Sequence, residues 1–409
     1  MSDLLLRNVR VWPREPGGDG VDVVVRDGLI AAIGPDFDAD PALPIVDGAG
    51  GVLLPALADV HAHLDSTRLG LPFRPHTADP TLAGLDDNDR RNWRTAEEGV
   101  AARATRTLGA TIASGATLVR SHVQVDTDCK LERLDGVLAA RDAHAGRCRL
   151  ELVAFPQSGI LRDRGTVDLL DAAIRAGADL VGGIDPCAFD RDPVAHLDAV
   201  FRLAERHQVG VDIHLHEAGE LGAFTFELIA ERVSAHAMAG RVTVSHAFAL
   251  SSVDPRRQAA LIDLLAAHDI AVTTVAPGTR DPLPLEALRA AGVRVGLGQD
   301  GIRDYWSPYG NGDVLERAWQ LAYRSGYRRD ELVEACVDVA SRGGRAVVDG
   351  LPWASTAVAD DDRAGLTVGA PADVVVVAAD TVTAAVMDHP PRAAVIHAGR
   401  LVARHAELV

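Results

Sequence analysis

The hydrophobic and polar positions of this chain fall into two textures. Near the start the runs are short and alternating: residues 4–11 and 21–26 read as strands, Arg26-Asp27-Gly28 as a hairpin turn, and 30–34 as the returning strand. That texture comes back only at the far end, in residues 372–377 and 392–402. Between them, strand-like and helix-like runs take turns. The apolar run through Leu53-Leu54-Pro55-Ala56-Leu57 reads as one strand continuing to His61 and His63, and further strands are expected near 117–125, 150–157, 180–186, 209–216, 242–248, 270–277 and 293–299. Helical spacing marks 95–114, 167–176, 195–208, 224–239 and 256–268. Counted from the His61 strand, these make up the strand–helix units of a (β/α)8 barrel, whose usual size is roughly 250 residues. The predicted fold class is therefore α/β: a (β/α)8 TIM-type barrel over residues 55–350, with a small β-sandwich domain built from both chain ends, 1–54 and 351–409. A long polar segment, 66–94, interrupts the first unit, and the acidic run Asp360-Asp361-Asp362 reads as a solvated turn.

Composition narrows the partners. A chain of 409 residues with 47% hydrophobic content can bury a large core. Its net charge of -17 repels phosphate backbones and anionic lipid surfaces, so the expected partner is a small molecule and neither nucleic acid nor membrane. The start Met1-Ser2-Asp3-Leu4-Leu5-Leu6-Arg7 lacks a basic region followed by a long apolar one, which makes the cytoplasm the default compartment. Cys129, Cys148, Cys187 and Cys336 are scattered, without the close pairs of zinc or redox motifs, and read as core or surface thiols. Lys130 is the only lysine.

In a barrel of this type the active site lies at the C-terminal ends of the strands. Those ends are polar almost throughout: His61 and His63, Arg120-Ser121-His122, Phe155-Pro156-Gln157, Gly183-Ile184-Asp185, His214-Leu215-His216-Glu217, Ser245-His246 and Gly298-Gln299-Asp300-Gly301. Successive side chains on a strand alternate faces, so His61 and His63 emerge together and can share an ion. His61, His63, His214 and Asp300 form a set of imidazole and carboxylate donors suited to a divalent ion, zinc in the first place and iron as the alternative. Such an ion lowers the pKa of a bound water from about 16 towards about 7. On alternation alone His216 competes with His214.

These pieces, with Trp306-Ser307-Pro308-Tyr309-Gly310 and Gly369-Ala370-Pro371-Ala372-Asp373-Val374, resemble the cytosine deaminase branch of the amidohydrolase superfamily, in order along the whole barrel. The resemblance implies one metal on His61, His63, His214 and Asp300, and it prefers His214 to His216. Two-metal relatives use a carboxylated lysine at the end of strand four, where this chain has Gly183-Ile184-Asp185. Chemistry and resemblance together assign roles. Glu217 is expected to protonate a ring nitrogen; His246 to hold the attacking water; Asp300 to ligate and to carry the proton to the departing amine; Gln157 to pair with an amide-like ring edge. His122, Asp185 and Trp306 join the candidate substrate contacts. His122 and His216 are otherwise structural, Asp185 a helix cap before Pro186, and Trp306 a loop packing residue. Close cytosine deaminases carry a histidine before the strand-eight aspartate and an acid after it; Gln299 and Gly301 stand here, so the ring is left open among pyrimidines, triazines and cyclic amides. The expected activity is metal-dependent hydrolytic deamination of an amino-substituted N-heterocycle, releasing ammonia. The alternatives are removal of an alkylamine from an aminotriazine or opening of a cyclic amide. A barrel that has lost catalysis and serves in assembly predicts missing ligands, and none is missing. A homo-oligomer is left open.

Overall fold

The computed structural model describes residues 3–12, 20–37, 43–353 and 365–409, so the acidic run at 360–362 lies outside the described residues. The N-terminal strands are β1 (Leu4–Val11), β2 (Val21–Arg26), β3 (Leu29–Gly34), β4 (Ile45–Asp47) and β5 (Val52–Pro55). The barrel follows as β6 (Leu57–Ala62), β7 (Ala116–Gln124), β8 (Arg149–Phe155), β9 (Leu180–Ile184), β10 (Gly210–His214), β11 (Val242–Ser245), β12 (Ile270–Thr274) and β13 (Val295–Leu297). β14 (Val374–Val377), β15 (Arg392–His397), β16 (Arg400–Arg404) and β17 (Glu407–Leu408) complete the chain. The first and last groups form one sheet in the order β17-β16-β15-β14-β5-β1-β2-β3, with β4 beside β1. Both chain ends therefore build a single small sheet domain, as the repeated texture predicts.

Side-chain alternation explains how that domain docks. Leu53, Val374, Val376 and Ile396 turn into its own core with Leu6, Val23, Val25 and Ile30. Their neighbours Leu54, Val375, Val377 and Val395 face the other way and belong to the barrel core. Strand β14 reads Val-Val-Val-Val because both of its faces are covered. The apolar stretch before the histidines is two strands rather than one. Val52–Pro55 pairs with β1 and β14, while Leu57–Ala62 opens the barrel. An uninterrupted apolar run hides this division because both segments are buried.

β6 to β13 pair in sequence order, all parallel, as the strand–helix alternation requires. Two of the intervening helices begin with Asp-Pro: Asp192 accepts a hydrogen bond from the Ala195 amide (3.0 Å) and Asp254 from the Arg256 amide (2.9 Å). The ring closes through the ends of β6 and β13, where the Asp300 amide donates to the His61 carbonyl (2.7 Å) and the His63 amide to the Asp300 carbonyl (3.3 Å). A Cβ at Gly298 would lie 2.5 Å from both the Cβ and the carbonyl oxygen of His61, so only glycine admits this approach. Closure thus brings the first and last metal-ligand candidates together. Helix Leu82–Asn92 lies within the polar 66–94 segment, and Val314–Arg324, Asp330–Asp338 and Gly344–Asp349 follow the last barrel strand. None of these was marked by the strand–helix alternation.

Candidate active site

At the C-terminal mouth of the barrel, His61, His63 and His214 offer ring nitrogens that all lie within 4.8 Å of one another, as do donor atoms of His61, His246 and Asp300. His63 Nε2 stands 3.3 Å from His214 Nε2 and 3.3 Å from Asp300 Oδ1; His61 Nε2 is 3.7 Å from the same oxygen. Ligands about 2.0–2.1 Å from a tetrahedral ion lie about 3.3–3.5 Å apart, so these separations fit a single cation. Burial, reinforced by neighbouring imidazoles, holds His61 and His214 well below the ordinary histidine range, leaving them as neutral donors. Asp300 is held well below the carboxylate range, because the hydrogen bond from His63 and the surrounding histidines outweigh its burial.

The ligand tautomer follows from hydrogen-bond counting. Ser245 has one proton and donates it to Asp212 Oδ1 (2.6 Å); Asp212 is also held by Arg120 Nη1 (3.0 Å). Ser245 Oγ can then only accept from Thr273 (2.9 Å) and from His61 Nδ1 (2.9 Å). The His61 proton therefore sits on Nδ1, and the buried Nε2, with no hydrogen-bond partner among the described residues, is left for an ion.

Around this cluster the expected site residues divide. His246 is buried, its ring 4.7 Å from that of His61, and neither of its nitrogens has a partner among the described residues. Burial, then the charge of His216, pushes its pKa down to about 3. Gln157 and Trp306 line the mouth cavity, of about 720 Å³, together with His63, His214, His216 and Asp300. His122 does not: it lies beneath the ligands, its ring 4.2 Å from His61 and 4.5 Å from His214, and is fully buried. It packs against the proposed ligands rather than on the cavity wall. Asp185 is no helix cap either. Its carboxylate makes no bond to the turn that follows, and accepts instead from the His216 amide (2.6 Å), from His216 Nδ1 (2.8 Å) and from the Glu217 amide (3.2 Å). Glu217 turns away from the cavity. Its Oε1 accepts from the amides of Cys187 (2.7 Å) and Ala188 (2.8 Å) and its Oε2 from Thr225 Oγ1 (2.5 Å), while burial raises its pKa against those bonds.

A match to the Amidohydrolase family extends over residues 44–403. The chain belongs to the amidohydrolase family. This amidohydrolase superposes on N-isopropylammelide isopropylaminohydrolase from Burkholderia multivorans ATCC 17616 with a TM-score of 0.90 and 41% identity, covering 100% of both chains. A second solved structure, 5-methylcytosine deaminase from Klebsiella pneumoniae, superposes with a TM-score of 0.79 and 25% identity over 98% of each chain. Among curated relatives, YahJ of Escherichia coli (strain K12) is 32% identical over 300 residues, 72% of this chain, which spans only 65% of the length of YahJ. The resemblance to the cytosine deaminase branch is thus borne out, and the protein is a hydrolase of C–N bonds. No helix among the described residues is long and apolar enough to cross a membrane.

The amidohydrolase cavity contains further polar side chains. Gln124, at the end of β7, donates its amide to Asp126 (2.7 Å), which leaves its carbonyl oxygen without that bond, and like Gln157 it lines the cavity. Arg133 is buried against Asp65 (3.3 Å), Asp89 (2.5 Å) and the Trp93 ring. Asp304 accepts from the amides of Trp306 and Ser307 (2.8 Å each) and from Ser66 Oγ (3.0 Å), and burial raises its pKa to about 6 against those backbone bonds. Gln124 carries a signal of the same kind as Gln157, a polar residue closing a barrel strand. Arg133 and Asp304 reach the cavity from a helix and a loop, where no periodicity announces them.

Proposed function

We propose that this amidohydrolase hydrolyses an exocyclic C–N bond on a small N-heterocycle, using one divalent ion held by His61, His63, His214 and Asp300. What supports the reading is that His61, His63 and His214 offer donors within reach of one ion, with Asp300 Oδ1 3.3 Å from His63 and 3.7 Å from His61, beside an open cavity and next to His246, whose nitrogens have no partner among the described residues. Nitrogen and carboxylate donors suit zinc, with iron as the alternative. β9 ends in Ile184 and is followed by Asp185 rather than by a lysine, which supports one ion rather than two. An ion bound there supplies a water acidified enough to act as a nucleophile at neutral pH.

The chain's own residues supply the rest. His246, kept neutral by burial, accepts a hydrogen bond from the attacking water and steadies the charge that builds as the ring carbon becomes tetrahedral. Asp300, ionised and facing the cavity, takes the water proton and passes it to the departing amine. Gln157 and the carbonyl of Gln124 offer donor and acceptor to an amide-like ring edge, and Trp306 walls the ring.

A second reading concerns the leaving group. The cavity, about 720 Å³ with Leu82, Leu85, Phe248, Val275 and Pro277 on its walls, has room and apolar surface for a substituent on the departing nitrogen. This, with the likeness to the Burkholderia enzyme over the whole chain, favours an alkylamine over ammonia. Zinc-loaded protein given cytosine, 5-methylcytosine and N-isopropylammelide separates the two, with ammonia and isopropylamine measured alongside the hydroxylated ring. Isopropylamine from the triazine supports the second reading. Absence of C–N hydrolysis from every ring refutes the proposal.

A further inference from the structure

Glu217, three residues after a ligand, looks by spacing like the side chain that meets the substrate ring. Its carboxylate is already consumed by two backbone amides and the Thr225 hydroxyl, and it does not line the cavity. His216 does line it, next to His246, with ring centroids 4.2 Å apart. Asp185 grips His216 twice: Oδ1 takes the backbone amide at 2.6 Å and Oδ2 takes Nδ1 at 2.8 Å. Asp185 is itself fully buried at the end of β9, with a left-handed backbone at φ 33° and its own amide bonded to the His214 carbonyl (3.0 Å). A strained, buried carboxylate that takes this imidazole together with the backbone amides of His216 and Glu217 holds the ring at a single angle. The ring is left with one polar atom, Nε2, which has no protein partner among the described residues, and the side chain keeps 21% of its surface exposed on the cavity side. His216 belongs to neither of the donor groups that one ion could share, and it stands on the cavity wall instead.

We infer that His216, oriented by Asp185, makes the polar contact to the substrate's ring edge beside the reacting carbon, in the place that spacing assigns to Glu217. The inference rests on the C–N hydrolysis reading above. His216 is then a substrate-contacting residue and Asp185 a positioning residue, while Glu217 stabilises the Pro186–Asp190 turn.

The test uses the zinc-loaded full chain with whichever of cytosine, 5-methylcytosine or N-isopropylammelide it turns over fastest. His216→Ala should lower kcat/KM by about 100-fold, with zinc content and melting temperature retained. His216→Gln should recover part of that loss, because an amide can still reach the ring. Asp185→Asn should cost about 10-fold alone and add nothing to His216→Ala, since it acts only through that ring. Glu217→Gln should act mainly on the melting temperature and less on kcat/KM than His216→Ala. Turnover by His216→Ala within about threefold of the parent overturns the inference, as does a loss that tracks zinc content, or a larger loss in Glu217→Gln. Wild-type protein that hydrolyses none of the three rings brings down the functional reading and this inference with it; an active parent with an unaffected His216→Ala brings down the inference alone.

Discussion

Ser245→Ala probes the chain Arg120, Asp212, Ser245, His61 that sets the ligand tautomer. The substitution removes the acceptor of the His61 Nδ1 proton (2.9 Å), the donor to Asp212 Oδ1 (2.6 Å) and the acceptor of the Thr273 hydroxyl (2.9 Å), all within the buried barrel interior. A single buried polar group left unpaired costs about 1–3 kcal/mol. Three orphans that share one small gap and partly relax put the expected loss at about 3 kcal/mol, read in metal-free protein by denaturant unfolding. The second consequence falls on the ion. With no partner for Nδ1, the His61 ring is free to rotate or to exchange its proton to Nε2, and loss of such an outer partner typically weakens metal affinity by about 10–100-fold, or about 1.4–2.7 kcal/mol. Competition against a zinc chelator at neutral pH measures this directly, with Ser245→Thr, which keeps the hydroxyl, as the control. Zinc affinity in Ser245→Ala within about threefold of the parent would show that the ligand is held without this chain, and the tautomer argument would fail.

Other perturbations are cheaper to read. Chelation should abolish turnover and lower the melting temperature, both restored by zinc, because an ion at 100 times its dissociation constant contributes about 2.7 kcal/mol; an unchanged melting curve would count against a folded-state ion site. Gly301→Ala places a Cβ 2.1 Å from Asp304 Oδ2, so the carboxylate must leave Ser66 and shift the Trp306 loop; kcat/KM should drop by about 100-fold with the fold retained, and parental kinetics would exclude Asp304 from the site. Asp86, on the helix over the cavity, has its pKa raised from 3.8 to about 6 by burial, against Arg90 and Ser158. The folded state therefore binds that proton more tightly than the unfolded chain, so stability from this group is gained as pH falls through 6 towards 4, and the charged form is a burden above 6. Asp86→Asn should raise the melting temperature at pH 8 and lose that advantage near pH 4; a gain independent of pH would point to another cause.

Much of the architecture could be read from periodicity. Strands near residues 180, 211, 243 and 271 stand where apolar runs end in polar residues, because a parallel strand covered on both faces must be apolar until it reaches the mouth. Two of the proposed ligands, His61 and His214, were legible for the same reason: a histidine near the end of such a run has only the mouth to face. Orientation beyond the last strand residue was not. β10 ends at His214, so alternation says nothing of His216 and Glu217, and their directions are set by Asp185, 31 residues upstream, and by Thr225 on the next helix. Similarly, β5 and β6 merged into one strand because burial by two different cores leaves no polar residue between them.

Three non-glycine residues of the site share a feature that no sequence pattern could show. Asp185 (φ 33°), His246 (φ 69°) and Asp300 (φ 65°) adopt left-handed backbone just past the ends of β9, β11 and β13. Each such residue costs about 1–3 kcal/mol and persists only where its surroundings over-determine it. Here the surroundings are ladder bonds that extend the sheet past its last regular residue: the Asp185 amide to the His214 carbonyl (3.0 Å), the His246 amide to the Thr273 carbonyl (3.0 Å), and the Asp300 amide to the His61 carbonyl (2.7 Å). Every strained residue is thus tied to an adjacent strand, two of them to strands that carry a proposed ligand. Barrel closure and site geometry are one requirement. A substitution that loosens the β6–β13 seam should therefore weaken ion binding before it unfolds the chain.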